Sequence, residues 1–188
     1  MQQPNLEMSR IILRPLNIND VSRIHTLINR PEIAEMTSQI PHPYPLGLAL
    51  SWLSSQQDNW NRQTGVVFGI ELKDESVLIG VVSLQKLNED FPVLGYWLGT
   101  DFWGRGYTTE AAMCICGFAF NILNVKGIFA GCLKKNASSA NVLRKLGFKY
   151  TGENEVFIKK NHKTARVLNY FLSSDCFNFH KLYFSGRK

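Results

Sequence analysis

Between Val93 and Asn121 the chain passes from a β-rich run through a glycine-rich turn into a long apolar helix, and this join constrains the fold more than any other feature. Val93-Leu94-Gly95-Tyr96-Trp97-Leu98-Gly99 has the composition of a strand, with glycines where a bulge or a close backbone approach is expected. The turn that follows, Asp101-Phe102-Trp103-Gly104-Arg105-Gly106, opens a helix predicted from Tyr107 to about Asn121. Glycines at 104 and 106 let successive backbone N–H groups turn toward one point, and the helix adds its positive end, which makes an anion cradle suited to a pyrophosphate. A G-x-G before a helix is equally a common tight connection. The turn lacks the G-K-[ST] of a nucleotide triphosphatase and the third glycine of a dinucleotide site.

Around this join the elements alternate. A strand over Arg10 to Leu16 is closed by Pro15, and Asn17 to Asp20 caps a helix to about Asn29 with Ile18, Val21, Ile24, Leu27 and Ile28 at helical spacing. Pro31 stops that helix, Pro41 to Pro45 forms a stiff loop, and a second helix runs from Leu46 to about Arg62. Val66 to Leu72 and Val77 to Leu84 read as a hairpin, Gly127 to Leu133 as a strand, Ser138 to Leu146 as a short helix, and Phe148 to Ile158 with Thr164 to Leu172 as a closing hairpin. The order β-α-α-β-β-β-α-β-α-β-β predicts an α/β fold with one mixed, mostly antiparallel sheet flanked by helices. With 188 residues and no linker or repeat, a single domain is expected, its core over about 9–172 and an aromatic tail over 173–188.

Composition narrows the function. Cys114, Cys116, Cys132 and Cys176 sit in apolar segments without a His or Cys cluster to complete four ligands, so core packing in a reducing cytoplasm is expected, with no metal. No basic flank precedes an apolar run at the N-terminus and no stretch of about 18 apolar residues occurs, so no membrane partner is expected. The 21 Lys+Arg against 15 Asp+Glu give a net charge of +6, which favours an anionic partner. Nucleic acid is not the expected one, because no recognition helix or aromatic strand motif accompanies the charge.

Three further motifs stand in order with the turn: Gly95-Tyr96-Trp97-Leu98 before it, then Asn136-x-x-Ser139, then Lys145-Leu146-Gly147-Phe148. Together with Arg14-Pro15-Leu16 and Pro43-Tyr44-Pro45 they resemble the GNAT superfamily of N-acetyltransferases, and within it the RimJ/RimL-type ribosomal-protein N-terminal acetyltransferases, over about residues 9–172. The resemblance implies a GNAT acyltransferase fold and acetyl-CoA as co-substrate. Its pyrophosphate would lie on Phe102, Trp103, Gly104, Arg105, Gly106, Tyr107 and Thr108, with the pantetheine arm along the strand ending at Leu98. It implies direct acetyl transfer to a primary amine in a ternary complex, the acceptor being a protein N-terminus or a small amine. The Leu98 backbone N–H would stabilise the oxyanion, Asn136 would anchor the pantetheine arm, and Ser139 would protonate the leaving thiolate. A serine at that position also fits the first turn of a helix.

The sequence departs from the family at Asp101, where the resemblance implies Gln or Arg three residues before Gly104, and at two catalytic positions. Leu143 replaces the tyrosine acid of much of the superfamily, and Ile158 stands where RimL-type enzymes carry a glutamate base. The remaining candidates for a base are Glu35, Glu71, Glu153 and Glu155, unless the amine arrives already neutral. His42 and Tyr44, in the proline loop, are candidate acceptor contacts. The two catalytic departures motivate an alternative reading, a catalytically weak CoA-binding module. The aromatic run Phe177-Asn178-Phe179-His180-Lys181-Leu182-Tyr183-Phe184 suggests a homodimer contact if it is exposed.

Overall fold

A computed structural model of the chain describes residues 2–177. One eight-stranded sheet has the order β1-β2-β3-β4-β5-β6-β8-β7. Its strands are β1 (Leu6–Glu7), β2 (Ile11–Pro15), β3 (Gly65–Leu72), β4 (Val77–Gln85), β5 (Val93–Leu98), β6 (Gly127–Leu133), β7 (Lys149–Ile158) and β8 (Lys163–Ser173). Every pairing is antiparallel except β5 with β6, as the mixed, mostly antiparallel expectation has it.

The helices are α1 (Asp20–Ile28), α2 (Pro31–Met36), α3 (Leu46–Ser54), α4 (Gln56–Asn61), α5 (Tyr107–Asn121) and α6 (Ala137–Lys145). Helix α5 is apolar nearly all round, and Ala111, Ala112, Ile115, Cys116 and Ala119 are fully buried, so it forms the spine of the main core against Phe68, Ile70, Leu94 and Leu98 of the sheet. Helices α1 and α3 add a smaller apolar cluster, in which Ile24 and Leu53 pack with Leu78 of β4. Burial explains Cys114 and Cys116 without a ligand role, and it pushes the Cys114 thiol up to about 12.

Two helices differ from the sequence reading. Pro31 does stop α1, yet it also occupies the first turn of α2, where a missing N–H costs nothing and φ is already helical. The single helix expected from Leu46 to Arg62 is interrupted at Ser55. There Ser54 Oγ donates to Leu50 O at 2.9 Å and Ser55 Oγ donates to Trp52 O at 2.7 Å, so side chains compete for the helical carbonyls. Residue 173 ends β8 and residues 174–176 form a 3-10 turn, after which Phe177 stacks on Phe120 of α5 at 5.1 Å. The rest of the expected aromatic tail, 178–188, lies outside the described residues. Among the described residues no helix is long and apolar enough to cross a membrane.

Candidate active site

The site is made by a split in the sheet. Strands β5 and β6 pair only at Val93 with Phe129 and Leu94 with Ala130, and beyond Leu94 they part. Register decides what β5 shows to the gap. The Gly99 N–H donates to Ile79 O at 2.9 Å, and bonded and non-bonded pairs alternate along an antiparallel ladder. Tyr96, opposite Val82, and Leu98, opposite Gly80, therefore turn their backbone N–H groups away from β4 and toward the gap. The Leu98 carbonyl on the same edge accepts a bond from Trp103 Nε1 at 2.9 Å, which folds the glycine-rich turn back against the end of β5.

A cleft of about 480 Å³ occupies the split. One wall is Tyr96, Trp97 and Leu98 of β5, and its floor is Trp103, Gly104, Gly106, Thr108 and Thr109. The opposite wall is Lys135 to Ser139 with Asn141, Val142 and Lys145 of α6, and the end nearest α2 is closed by Ile33, Met36 and Thr37. The first turns of α5 and α6 both reach the cleft, and Lys135 and Lys145 add two cations, so the cleft suits a polyanionic ligand. Among the described residues no carboxylate lines it.

The turn is held open from behind. Gly104 and Gly106 have φ of +75° and +81°, a backbone that glycine alone adopts without strain, and among the described residues no atom beyond the chain neighbours lies within 4 Å of a Cβ built on Gly104. Arg10 ties the loop down. Its backbone N–H and Nε each donate to Glu110 at 2.8 Å, one guanidinium nitrogen donates to Arg105 O at 3.0 Å, and the guanidinium lies 4.6 Å from the centre of the Tyr107 ring. Glu110 is buried, so this is a fixed strap rather than a surface pair. Arg10 and Glu110 escape a reading of the sequence because they are 100 residues apart; an acidic residue in the first turn of α5 is the only local signal.

On the facing wall, Asn136 caps α6, its Oδ1 accepting from the Ser139 N–H at 3.0 Å while its Nδ2 donates to Met36 O at 3.0 Å. Its amide thus links α6 to the end of α2 across the cleft. The Ser139 hydroxyl lies 2.9 Å from Tyr96 Oη. Burial pushes the Tyr96 phenol well above its usual range, so it is neutral at any working pH.

The sequence candidates divide accordingly. Leu98, Trp103, Gly104, Gly106, Thr108, Asn136 and Ser139 come together at the cleft. Phe102 and Tyr107 pack on the core behind the turn, and Arg105 contributes its carbonyl to the strap. The four proposed bases do not line the cleft. Glu71 is held by Arg14 at 2.5 Å beside Asp20, Glu153 pairs with Lys134 and Arg166 across neighbouring strands, Glu155 lies 3.7 Å from Arg166, and Glu35 is exposed on α2. His42 is exposed on its loop, while Tyr44 is buried against Ile28, Ile33 and Ala49 with its N–H on Asn29 Oδ1, so it packs the core instead of meeting an acceptor. Ile158 and Leu143 are buried apolar residues.

A mixed sheet split beside a glycine cradle, with a donor edge on β5, is the arrangement that the resemblance implies for an acyltransferase. The chain belongs to the GNAT acetyltransferase family, whose domain model, Acetyltransferase (GNAT) domain, matches residues 10–149. YoaA of Bacillus subtilis (strain 168), named an uncharacterized N-acetyltransferase, is 24% identical over 160 residues, covering 84% of this chain and 90% of its own length. Mycobacterium smegmatis RimJ, solved in complex with CoA-disulfide, superposes with a TM-score of 0.83 at 18% identity, over 98% of this chain and 94% of its own. RimL, a ribosomal α-N-protein acetyltransferase solved with coenzyme A, superposes with a TM-score of 0.81 at 17% identity, over 92% of this chain and 99% of its own. The enzyme reading and the RimJ/RimL-like fold of the sequence analysis therefore hold: this is an N-acetyltransferase that uses acetyl-CoA.

Proposed function

We propose that the enzyme transfers acetyl from acetyl-CoA directly to the α-amine of a peptide N-terminus or a small amine, with both substrates bound at once in the split between β5 and β6. The observation that carries this reading is the Leu98 N–H turned to the cleft that Ser139 also lines. Attack by a neutral amine puts negative charge on the thioester oxygen, for which the Leu98 N–H is the donor; one such donor is worth about 3 kcal/mol in acyl transfer. The thiolate then leaves, and Ser139 Oγ–H donates to it. The backbone around Gly104 and Gly106, the first turn of α5 and the two lysines hold the coenzyme's phosphates. Asn136 supports the pantetheine wall through its cap of α6.

The test is release of free thiol from acetyl-CoA with a panel of peptides and small amines. Turnover above background is expected; coenzyme binding without turnover on any amine would instead assign the chain to a CoA-binding module, the outcome that Ile158 and Leu143 motivate. Replacing Gly104 with valine is expected to weaken coenzyme A binding at least about tenfold in a calorimetric titration. A β-branched residue is strained at φ +75° and places its branches in the space meant for the ligand. An unchanged titration would remove the phosphates from this turn.

A further inference from the structure

Tyr96 is an anomaly on β5. Its neighbours on the same face, Leu94 and Leu98, are buried in the main core, and its ring packs against that core, yet it carries a polar oxygen into the site. A phenol in such surroundings costs free energy unless its oxygen is partnered, and both of its hydrogen bonds go to one residue, Ser139: 2.9 Å to Oγ and 3.3 Å to the backbone oxygen. Phenylalanine would fill the same space without that cost. Ser139 is in turn fixed at its backbone by Asn136, so its remaining freedom lies in the side chain, including rotation of the hydroxyl.

That freedom is the problem a proton donor must solve. A serine hydroxyl has one hydrogen, and nothing in the serine itself decides which neighbour receives it. We propose that Tyr96 is a positioning residue for Ser139: its Oη–H donates to Ser139 Oγ and so directs the serine hydrogen to the sulfur of the departing thiolate. The inference rests on the reading of Ser139 as the donor. Tyr96 Oη has a second acceptor in the Ser139 carbonyl, which gives its hydrogen a resting position, and the serine oxygen becomes the acceptor when sulfur develops charge. During transfer the C–N bond forms and the C–S bond breaks with its electron pair on sulfur. Sulfur takes the Ser139 hydrogen, Ser139 takes the Tyr96 hydrogen, and the proton shed by nitrogen returns through solvent to Tyr96.

The experiment compares Tyr96→Phe in the wild-type and Ser139→Ala backgrounds, reading kcat and the KM for acetyl-CoA. Phenylalanine keeps the packed ring, and coenzyme titration of the same samples reports the fold. The expected result is a kcat lowered about tenfold with KM within about twofold, and a change below about twofold once Ser139 is alanine. A kcat within about twofold of wild type in Tyr96→Phe overturns the inference while leaving Ser139 in place if Ser139→Ala is impaired. The same tenfold loss in both backgrounds also overturns it, because Tyr96 then acts independently of the serine. An unimpaired Ser139→Ala overturns the donor reading and the inference together.

Discussion

Replacing Ser139 with alanine is expected to lower kcat about 10²-fold while moving the KM for acetyl-CoA less than about threefold. The argument for a chemical rather than structural loss is local. The bond from Asn136 Oδ1 is made to the Ser139 backbone N–H, not to its side chain, so the cap of α6 survives the substitution. Alanine is a better helix former than serine in the interior of a helix. Tyr96 keeps the Ser139 carbonyl as an acceptor at 3.3 Å, so no buried hydroxyl is stranded. What disappears is one hydroxyl, 2.9 Å from Tyr96 and facing the cleft. A loss confined to kcat, measured by thiol release at saturating substrates, marks an interaction made only as the thiolate leaves. An unchanged kcat would reduce Ser139 to a residue of the first helical turn.

The elements of this fold that read correctly from the sequence are those with local causes. The glycine-rich turn, the apolar run of α5 and the two hairpins each carry their signal within about ten residues. The split between β5 and β6 does not, because it depends on where a parallel pairing gives out, and no periodicity encodes that. The misplaced carboxylates share a cause. Glu71 finds Arg14 from 57 residues away, and Glu153 meets Lys134 and Arg166 only once β6, β8 and β7 lie side by side. Tyr44 looked like a loop aromatic but is drawn inward by Asn29, whose side chain satisfies its N–H, and by His25, whose ring bonds its carbonyl. Tyr96 was visible within the Gly-Tyr-Trp-Leu motif, but its partner stands 43 residues downstream on another element, so only the fold reveals what its hydroxyl is for.

The acceptor preference follows from the same carboxylates. All 15 Asp and Glu residues lie within residues 2–177, since 178–188 contain none, and the cleft is lined by none of them. With no Asp or Glu lining the cleft among the described residues, reaction is expected to draw on the fraction of amine already neutral in solution. An α-amine of pKa ~7.7–8.0 exceeds a lysine ε-amine of pKa ~10.4 in that fraction by roughly 300-fold at pH 7. The greater intrinsic nucleophilicity of the more basic amine offsets part of this, so a peptide with a free N-terminus is expected to exceed its Nα-blocked, lysine-containing counterpart by about 10²-fold in kcat/KM. The decisive feature is the pH dependence. For the α-amine, kcat/KM rises with pH and levels near ~8, whereas for the ε-amine it is still rising at pH 9, so the preference shrinks about tenfold between pH 7 and pH 9. A preference that holds constant across that range would mean that a side chain of the enzyme removes the proton, and the acceptor would then be selected by shape rather than by its acidity.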